Sequence, residues 1–346
     1  MTEWLAFLKA DTMDWLLEKE DPSVRALTLT GLLDRPAGDP EVAASRREIM
    51  RTGIVPKLLA GQSPEGYWEA PDVFYTAKYK GTVWQLIILA ELGADGRDQR
   101  IRKACEFILE ASQDEEAGGF SFQRRSIRRG GRPSGVIPCL TGNMVWSLIR
   151  LGLANDPRVK RGIDWICRYQ RFDDGIRRQA PGLPYDRWPQ CFGKHSCHMG
   201  VVKALKALAA VPGKSRTPAV EKTTRDGVDY LLKHHIHKRS HDLGTVSKPG
   251  WLRLGFPWMY QSDILEVLGI LGRLGVRDPR MRDALDVLLS KQDERGRWTL
   301  EQSFNGRFRA NIERKGFPSK WVTVHALTAL KAYFGRAGSD DRMGRT

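Results

Sequence analysis

Apolar and polar positions along the chain alternate between two kinds of helical segment. One kind is apolar nearly all round, which is typical of a helix that is buried on every side. The other kind is amphipathic and ends in Gln, and a turn with Gly and an aromatic residue follows it. The apolar segments are 82–92, 141–151, 196–210, 260–274 and 321–334. The pattern therefore predicts repeated pairs of one half-exposed helix and one buried helix.

The turns between these helices also repeat. Leu92-Gly93, Leu151-Gly152 and Leu274-Gly275 each end an apolar segment, and a turn with Asp follows, with Pro in two of the three copies. Gly supplies the left-handed conformation that ends a helix, and Pro suits the first position of the next one. A less regular pair, 4–19 and 24–33, completes six helical hairpins.

Six buried helices alternating with six half-exposed helices predict an all-α fold, an α6/α6 toroid with two concentric rings. An open solenoid is the alternative, but it needs capping repeats that the sequence lacks. We expect residues 1–335 to form a single toroid domain and residues 336–346 to form a disordered tail.

The composition of the 346 residues excludes several classes of protein. With 41% apolar residues the chain is too apolar to be disordered, and no apolar run reaches the ~18 residues that a membrane span needs. The net charge of +15 raises nucleic acid as a partner, but the basic residues are spread along the whole chain. Five cysteines and the absence of a signal peptide predict a cytoplasmic protein.

The turns that follow the amphipathic helices resemble a known repeat. Gln62…Gly66-Tyr67-Trp68 and Gln292…Gly296-Arg297-Trp298 resemble the QW-type repeat of the terpenoid cyclase and protein prenyltransferase superfamily, which includes squalene-hopene-type cyclases. The resemblance implies an α/α toroid whose central cavity is apolar, lined by aromatic residues, and filled by an isoprenoid or another lipophilic substrate. The corresponding candidates for substrate binding are Trp84, Trp146, Asn143, Trp258, Tyr260 and Trp321.

The acids of that superfamily are largely missing. The Asp-x-Asp-Asp motif of the cyclases corresponds to Tyr260-Gln261-Ser262-Asp263, in which only the last Asp is kept. Standard acid-initiated cyclisation is therefore not expected. Asp263 lies in an apolar segment, where a carboxylate is costly unless it is paired or functional. We predict that it acts as a general acid or base, with a salt bridge to an Arg as the alternative.

A polar segment, 75–82, precedes the second buried helix. Tyr79 is a candidate catalytic group there, and Lys78 and Lys80 could bind an anionic head group of the substrate. A surface loop whose lysines are solvated by water is the alternative. A second anion site is suggested by a loop rich in arginine, for which an exposed solvated loop is the alternative. Its arginines are Arg124, Arg125, Arg128, Arg129 and Arg132.

Cysteine and histidine are concentrated before and at the start of the segment 196–210. Cys191, His195, Cys197 and His198 fall within eight residues, and Cys139 occupies the corresponding place before the preceding buried helix. Zinc prefers such ligands in a tetrahedral shell, and Cys139, Cys191, Cys197 and His198 are the predicted set. A site without metal, with Cys197 as nucleophile or acid and His195 as base, is the first alternative. Ordinary buried residues are the second.

Other cysteines and histidines are interpreted as structural. Cys105 and Cys167 lie among apolar residues of amphipathic helices and are expected in the core. The tract His234, His235, His237 and His241 is expected on the surface outside the cavity.

Two functions remain open from the sequence. The first is an enzyme, a transferase or a lyase or isomerase of isoprenoid-like substrates, with or without zinc. The second is a toroid that binds a lipid or a peptide without catalysis and whose Cys/His site is structural.

Overall fold

A computed structural model describes residues 3–125, 130–175 and 181–335. The predicted disordered tail, 336–346, lies outside the described residues. The described part is helical, apart from two short antiparallel strand pairs, and no helix in it is long and apolar enough to cross a membrane. The α-helices are α1 Met13–Leu16, α2 Pro22–Leu27, α3 Pro40–Ile49, α4 Ile54–Ala60, α5 Thr82–Glu91, α6 Gln99–Ser112, α7 Pro138–Leu148, α8 Pro157–Tyr169, α9 His198–Ala210, α10 Pro218–Lys233, α11 Ile264–Arg273, α12 Arg282–Ser290 and α13 Lys320–Phe334.

Shorter elements connect and extend these helices. The strands are β1 Lys238–Arg239, β2 Asp242–Val246, β3 Trp298–Thr299 and β4 Pro318–Ser319, paired β1 with β2 and β3 with β4. Single 3₁₀ turns are Glu3–Phe7, Pro71–Val73, Pro133–Gly135, Gly213–Ser215, Pro249–Leu252 and Pro279–Met281, and π-helical turns are Thr28–Leu32 and Ile149–Leu153.

The inner ring consists of α2 with its π turn, α5, α7, α9, α11 and α13. Neighbouring helices approach closely: a Cβ at Gly142 of α7 would lie 2.4 Å from the backbone of Lys203 on α9. Every residue of α5 is buried, as the all-round apolar pattern predicts. The remaining longer helices, α3 with α4, α6, α8, α10 and α12, pack outside this ring.

The inner ring closes on itself. Lys331 near the end of α13 donates hydrogen bonds to the carbonyls of Gly31 (3.1 Å) and Leu32 (2.9 Å) in the first repeat. In the outer layer, the side chain of Gln292 accepts a hydrogen bond from the backbone N–H of Lys9 (2.9 Å). The chain is therefore an α/α toroid, and the open solenoid is excluded.

The repeated Gln and Trp hold successive repeats together. The side-chain amide of Gln62 donates to the carbonyl of Gly66 in its own turn (3.0 Å) and to that of Arg100 in the next outer helix (2.9 Å). The indole N–H of Trp68 donates to Leu58 (2.8 Å), and its backbone N–H donates to a hydroxyl at the head of α5. The Gln side chain therefore joins its own turn to the next outer helix.

Two predicted elements differ from the structure. Segment 4–19 is not one helix but a 3₁₀ turn followed by α1, because the carboxylate of Asp11 accepts from the backbone N–H of Met13 and starts a new helix there. The predicted helix 260–274 begins only at Ile264, because the side chain of Asp263 caps it.

Candidate functional site

Long loops cover one end of the toroid, because each of them joins the end of an outer helix to the head of the next inner helix. We call this end the loop rim and the opposite end, which carries the short turns after the inner helices, the turn rim. Within the described residues these loops comprise 61–81, 113–125 with 130–137, 170–175 with 181–197, 234–263 and 291–319. Almost all predicted site residues lie in these loops or in the first turns of the inner helices.

Four aromatic side chains form an aromatic mouth at the loop rim: Tyr75, Tyr79, Trp84 and Tyr260. The ring of Trp84 lies 5.1 Å from that of Tyr75, 5.0 Å from that of Tyr79 and 6.3 Å from that of Tyr260. The ammonium of Lys78 lies 4.8 Å from the ring centre of Tyr260, 5.3 Å from that of Tyr75 and 6.0 Å from that of Trp84. Lys78 forms no ion pair among the described residues.

Tyr79 is almost fully enclosed within the mouth. Only 2% of it is exposed, and its ring packs 4.2 Å from that of Phe304. Burial raises the pKa of Tyr79 to about 12, although a hydrogen bond with Gln261 acts in the opposite direction. Its phenol is therefore protonated at neutral pH and can donate a proton.

The three predicted cysteine ligands come together behind Tyr75. Cys139 lies in the first turn of α7, Cys197 caps α9, and the backbone N–H of Cys197 donates to the carbonyl of Cys191 (3.0 Å). Burial and the neighbouring thiols raise the pKa of Cys139 and of Cys191 to about 12. Both are neutral thiols at pH 7, which disfavours a thiolate nucleophile at either position.

His198, the fourth predicted ligand, points away from the mouth. Its ring lies 4.7 Å from that of Trp251 and 5.0 Å from that of His234, and burial lowers its pKa to about 3. Among the described residues, no group of three or more His, Cys, Asp and Glu side chains is arranged to hold a metal ion. The predicted zinc site stays a prediction.

A pocket of about 400 Å³ also lies at the loop rim. Histidines from two loops line it, together with Cys197. The predicted surface position of the histidine tract is wrong for His234 and His237, which are buried because the loop after α10 folds back against His198 and Trp251.

Nδ1 of His195 lies 2.9 Å from a carboxylate oxygen of Asp174. Burial would raise the pKa of Asp174, but hydrogen bonds from Lys233, Ser240 and His195 hold that pKa well below its usual range. The pair resembles the oriented His–Asp pairs of acid–base sites.

A buried ion network, Glu91, Lys203, Lys206 and Glu266, fills the centre of the inner ring. The ammonium of Lys203 donates to both carboxylate oxygens of Glu266 (2.7 and 2.6 Å). Lys206 donates to Glu91 (2.5 Å) and Glu266 (2.9 Å). Burying each ion costs several kcal/mol, which the partners must offset. Sequence reasoning missed this network, although two lysines three residues apart in the apolar helix α9 were a signal.

Asp263 accepts three hydrogen bonds and forms no salt bridge to any Arg in the described part of the chain. The donors are the backbone N–H of Gly255 (2.8 Å), the indole N–H of Trp258 (3.0 Å) and the backbone N–H of Glu266 (2.9 Å). Burial raises the pKa of Asp263 to about 7 against the effect of these donors. The geometry favours a structural cap of α11, and the predicted catalytic role stays a prediction.

The remaining substrate-binding candidates are spread around the ring interior. The ring of Trp146 lies 3.9 Å from the ammonium of Lys206, so it contacts the ion network. The ring of Trp321 stacks on that of Phe256 (4.1 Å), and the amide of Asn143 donates to the carbonyl of Met259 (3.1 Å). Only Trp84 and Tyr260 of the predicted set belong to the aromatic mouth.

Two further predictions concern the remaining cysteines and the arginine loop. Cys105 is buried, as expected, while Cys167 is only partly buried. Arg125 already pairs with Asp114 (3.2 Å). Arg128 and Arg129 lie outside the described residues.

The fold and these sites define an α/α toroid whose loop rim carries a cationic aromatic mouth above a buried ion network. No model of a known protein family matches the chain, and no curated protein matches it in sequence. Solved structures with a similar outline include an unsaturated glucuronyl hydrolase specific for heparin, with 11% identity, a TM-score of 0.47 and coverage of 91% of this chain and 85% of that one. A type II terpene cyclase from Scytonema has 15% identity, a TM-score of 0.40 and coverage of 90% and 87%. These similarities specify no activity for this chain.

Proposed function

We propose that this protein is an enzyme that binds an amphiphilic substrate, a lipophilic chain with an anionic head group, at the aromatic mouth. The observation that carries the proposal is the position of the Lys78 ammonium among three aromatic rings with no carboxylate partner in the described part of the chain. Aromatic faces hold an ammonium in place without neutralising it. Its charge therefore stays available for an anionic group of the substrate.

The rings around Lys78 suit the lipophilic part of such a substrate. Tyr75 and Tyr260 are partly exposed and offer flat apolar surfaces to an isoprenoid chain, while the buried Trp84 supports them from behind. The resemblance of the Gln-to-Trp turns to the QW-type repeat of terpenoid cyclases and protein prenyltransferases supports an isoprenoid as the substrate class.

The titratable groups at the mouth are proton donors at neutral pH. The phenol of Tyr79 and the thiols of Cys139 and Cys191 are all protonated, because burial raises their pKa values to about 12. Neutral thiols at Cys139 and Cys191 are poor nucleophiles. The phenol of Tyr79 carries a proton at neutral pH, and we propose it as the proton donor of a lyase or isomerase reaction, although its raised pKa makes it a weaker acid than a free tyrosine.

Binding of farnesyl diphosphate and of farnesol tests the role of Lys78. We expect the wild-type protein to bind the diphosphate more tightly, and Lys78→Met to lose that preference while farnesol binding is kept. Lys80→Met is the matched control, because Lys80 is an exposed lysine of the same loop. An equal loss in both variants, or no preference in the wild type, would contradict the proposal.

A measurement of turnover distinguishes an enzyme from the second candidate function, that of a non-catalytic lipid-binding toroid. Close packing of Tyr79 against Phe304 and Trp84 favours that candidate, because such contacts can simply seal the end of the ring. Mass spectrometry of farnesyl diphosphate after incubation should show a product that Tyr79→Phe abolishes without weakening binding. Tight binding with unchanged substrate would identify a binding protein instead.

A further inference from the structure

The turn rim, at the opposite end from the aromatic mouth, carries a pocket of about 740 Å³. It lies between α3, the turn from α5 to α6, and the π turn that follows α7. Six arginines line it: Arg46, Arg47, Arg51, Arg97, Arg102 and Arg150. We call it the arginine pocket. None of the residues discussed for the proposed function belongs to it.

Most of the positive charge in the arginine pocket has no partner. Asp95 is its one lining carboxylate, and both of its oxygens already accept hydrogen bonds from Arg97 (3.0 and 2.9 Å). Arg51 pairs with Glu48 at 3.5 Å. Within the described residues, the other four arginines of the pocket form no ion pair.

The partial negative charges at the ends of the inner helices do not neutralise the positive charge of these arginines. The C-termini of α5 and α7 point to the turn rim and bring about half a negative charge each, so about three of the four unpaired charges remain. Arg150 also lies close enough to Arg273 on α11 to add to the effect of burial in lowering the pKa of Arg273. Like charges gathered in one depression repel each other unless an anion binds between them.

The shape of the pocket indicates the size of that anion. The volume lies within the range of about 300–1,000 Å³ that is typical of small-molecule sites. The arginines come from α3 and the turn after it, from the turn before α6, from α6 itself and from the π turn. They surround one depression rather than forming a strip along the surface, as a nucleic acid backbone would require. Guanidinium groups bind phosphate with two parallel hydrogen bonds.

We infer that the arginine pocket is a binding site for a small molecule that carries two or more phosphate groups. Arg102 and Arg150 are its central ligands, because Arg150 belongs to the π turn and Arg102 reaches the same turn from α6: a Cβ added at Gly152 would lie 3.7 Å from a guanidinium nitrogen of Arg102. The inference is independent of the function proposed for the loop rim.

Calorimetric titration with sodium tripolyphosphate, in the presence of EDTA and about 150 mM salt, tests the site. We expect binding by the wild-type protein and a loss of about tenfold or more in the double variant Arg102→Gln/Arg150→Gln, because hydrogen bonds between charged groups are lost. The double variant Arg216→Gln/Arg295→Gln removes the same charge outside the pocket and should bind as the wild type does. Thermal unfolding of both variants checks that each is folded.

Three outcomes would overturn the inference. The first is the absence of tripolyphosphate binding at that salt concentration. The second is an equal loss in the two double variants, which would show that only the net charge of the protein attracts the anion. The third is binding of a single-stranded RNA oligonucleotide more tightly than tripolyphosphate, which would assign the surface to nucleic acid.

Discussion

Lys203 and Glu266 form a bidentate ion pair across the centre of the ring, and almost nothing of either side chain is exposed to solvent. The pair joins α9 to α11, and Lys206 extends it to Glu91 on α5. Burial alone would raise the pKa of Glu266, but the two ammonium groups lower it below its usual value. The carboxylate is therefore charged and holds two inner helices together.

Glu266→Gln should destabilise the fold by about 3–5 kcal/mol, because it leaves two buried ammonium groups without a full counter-charge. The double variant Lys203→Met/Glu266→Leu should be less destabilised than the single variant, since it removes both charges of the pair. Urea denaturation followed by circular dichroism measures both.

Lys222→Met is the control for this experiment. Its exposed i,i+4 pair with Asp226 should contribute only about 0.3–0.5 kcal/mol. A Glu266→Gln variant with the stability of this control would show that water reaches the network and that the pair is not buried in solution.

Stability should fall as the pH decreases from about 6.5 towards 3. Burial lowers the pKa of His198 and of His325 to about 3, below the usual value of 6.5 in an unfolded chain. The unfolded chain therefore takes up these protons first, and each histidine adds a slope of up to about 1.4 kcal/mol per pH unit in that window.

The pH dependence of the free energy of unfolding tests this assignment. His325→Gln should make the profile less steep between pH 6 and pH 4, whereas the exposed His241→Gln should not change it. An unchanged slope in His325→Gln would show that His325 is protonated within the folded protein.

Two glycines, one in a turn of the repeat and one at the start of α4, lead to a separate prediction. Gly53 and Gly66 both have positive φ angles, +73° and +99°. A Cβ at Gly53 would meet nothing within 4 Å, whereas one at Gly66 would lie 2.6 Å from the backbone of Lys103. Gly53→Ala should cost about 1–3 kcal/mol through backbone strain, because its φ of 73° and ψ of −133° lie near a region that only glycine adopts readily. Gly66→Ala should cost about 1–3 kcal/mol more, because it forces α6 away from the turn.

Thermal unfolding of the two alanine variants gives the comparison directly. Equal losses of stability would mean that the Gly66 turn does not pack on the next outer helix. The role of the repeat in joining neighbouring hairpins would then be wrong.

The inner helices could be predicted from the sequence because a helix that is apolar on every side must be buried. The ion network could not, since Lys206 and its partner Glu91 are separated by 115 positions and meet only when the ring closes. The burial of the histidine tract could not be predicted for the same reason, because the burial of His234 depends on contact with His198, which belongs to a different repeat. Asp263 was recognised as unusual, but its neighbours Gly255 and Trp258 are set by the loop before α11, not by a local pattern.

Cys139 and Cys191 should react slowly with iodoacetamide in the folded protein at pH 7. With a pKa of about 12, only on the order of one thiol in 10⁵ is ionised, compared with a few per cent for an unperturbed cysteine. Peptide mass spectrometry can follow each cysteine separately, and the same reaction in urea gives the rate for the unfolded chain. Cys105, buried among apolar residues, is the internal reference for protection by burial alone.

Rapid alkylation of Cys191 in the folded protein would contradict this prediction and would restore a thiolate as a candidate nucleophile. Bound zinc would also protect these sulfurs, so the protein should be purified without a chelator or a His tag and analysed for metal. Zinc that is lost in Cys191→Ala would place the ion at the cysteines. Protection without metal would instead assign the slow reaction to burial, which leaves Tyr79 as the proton donor to test at the mouth.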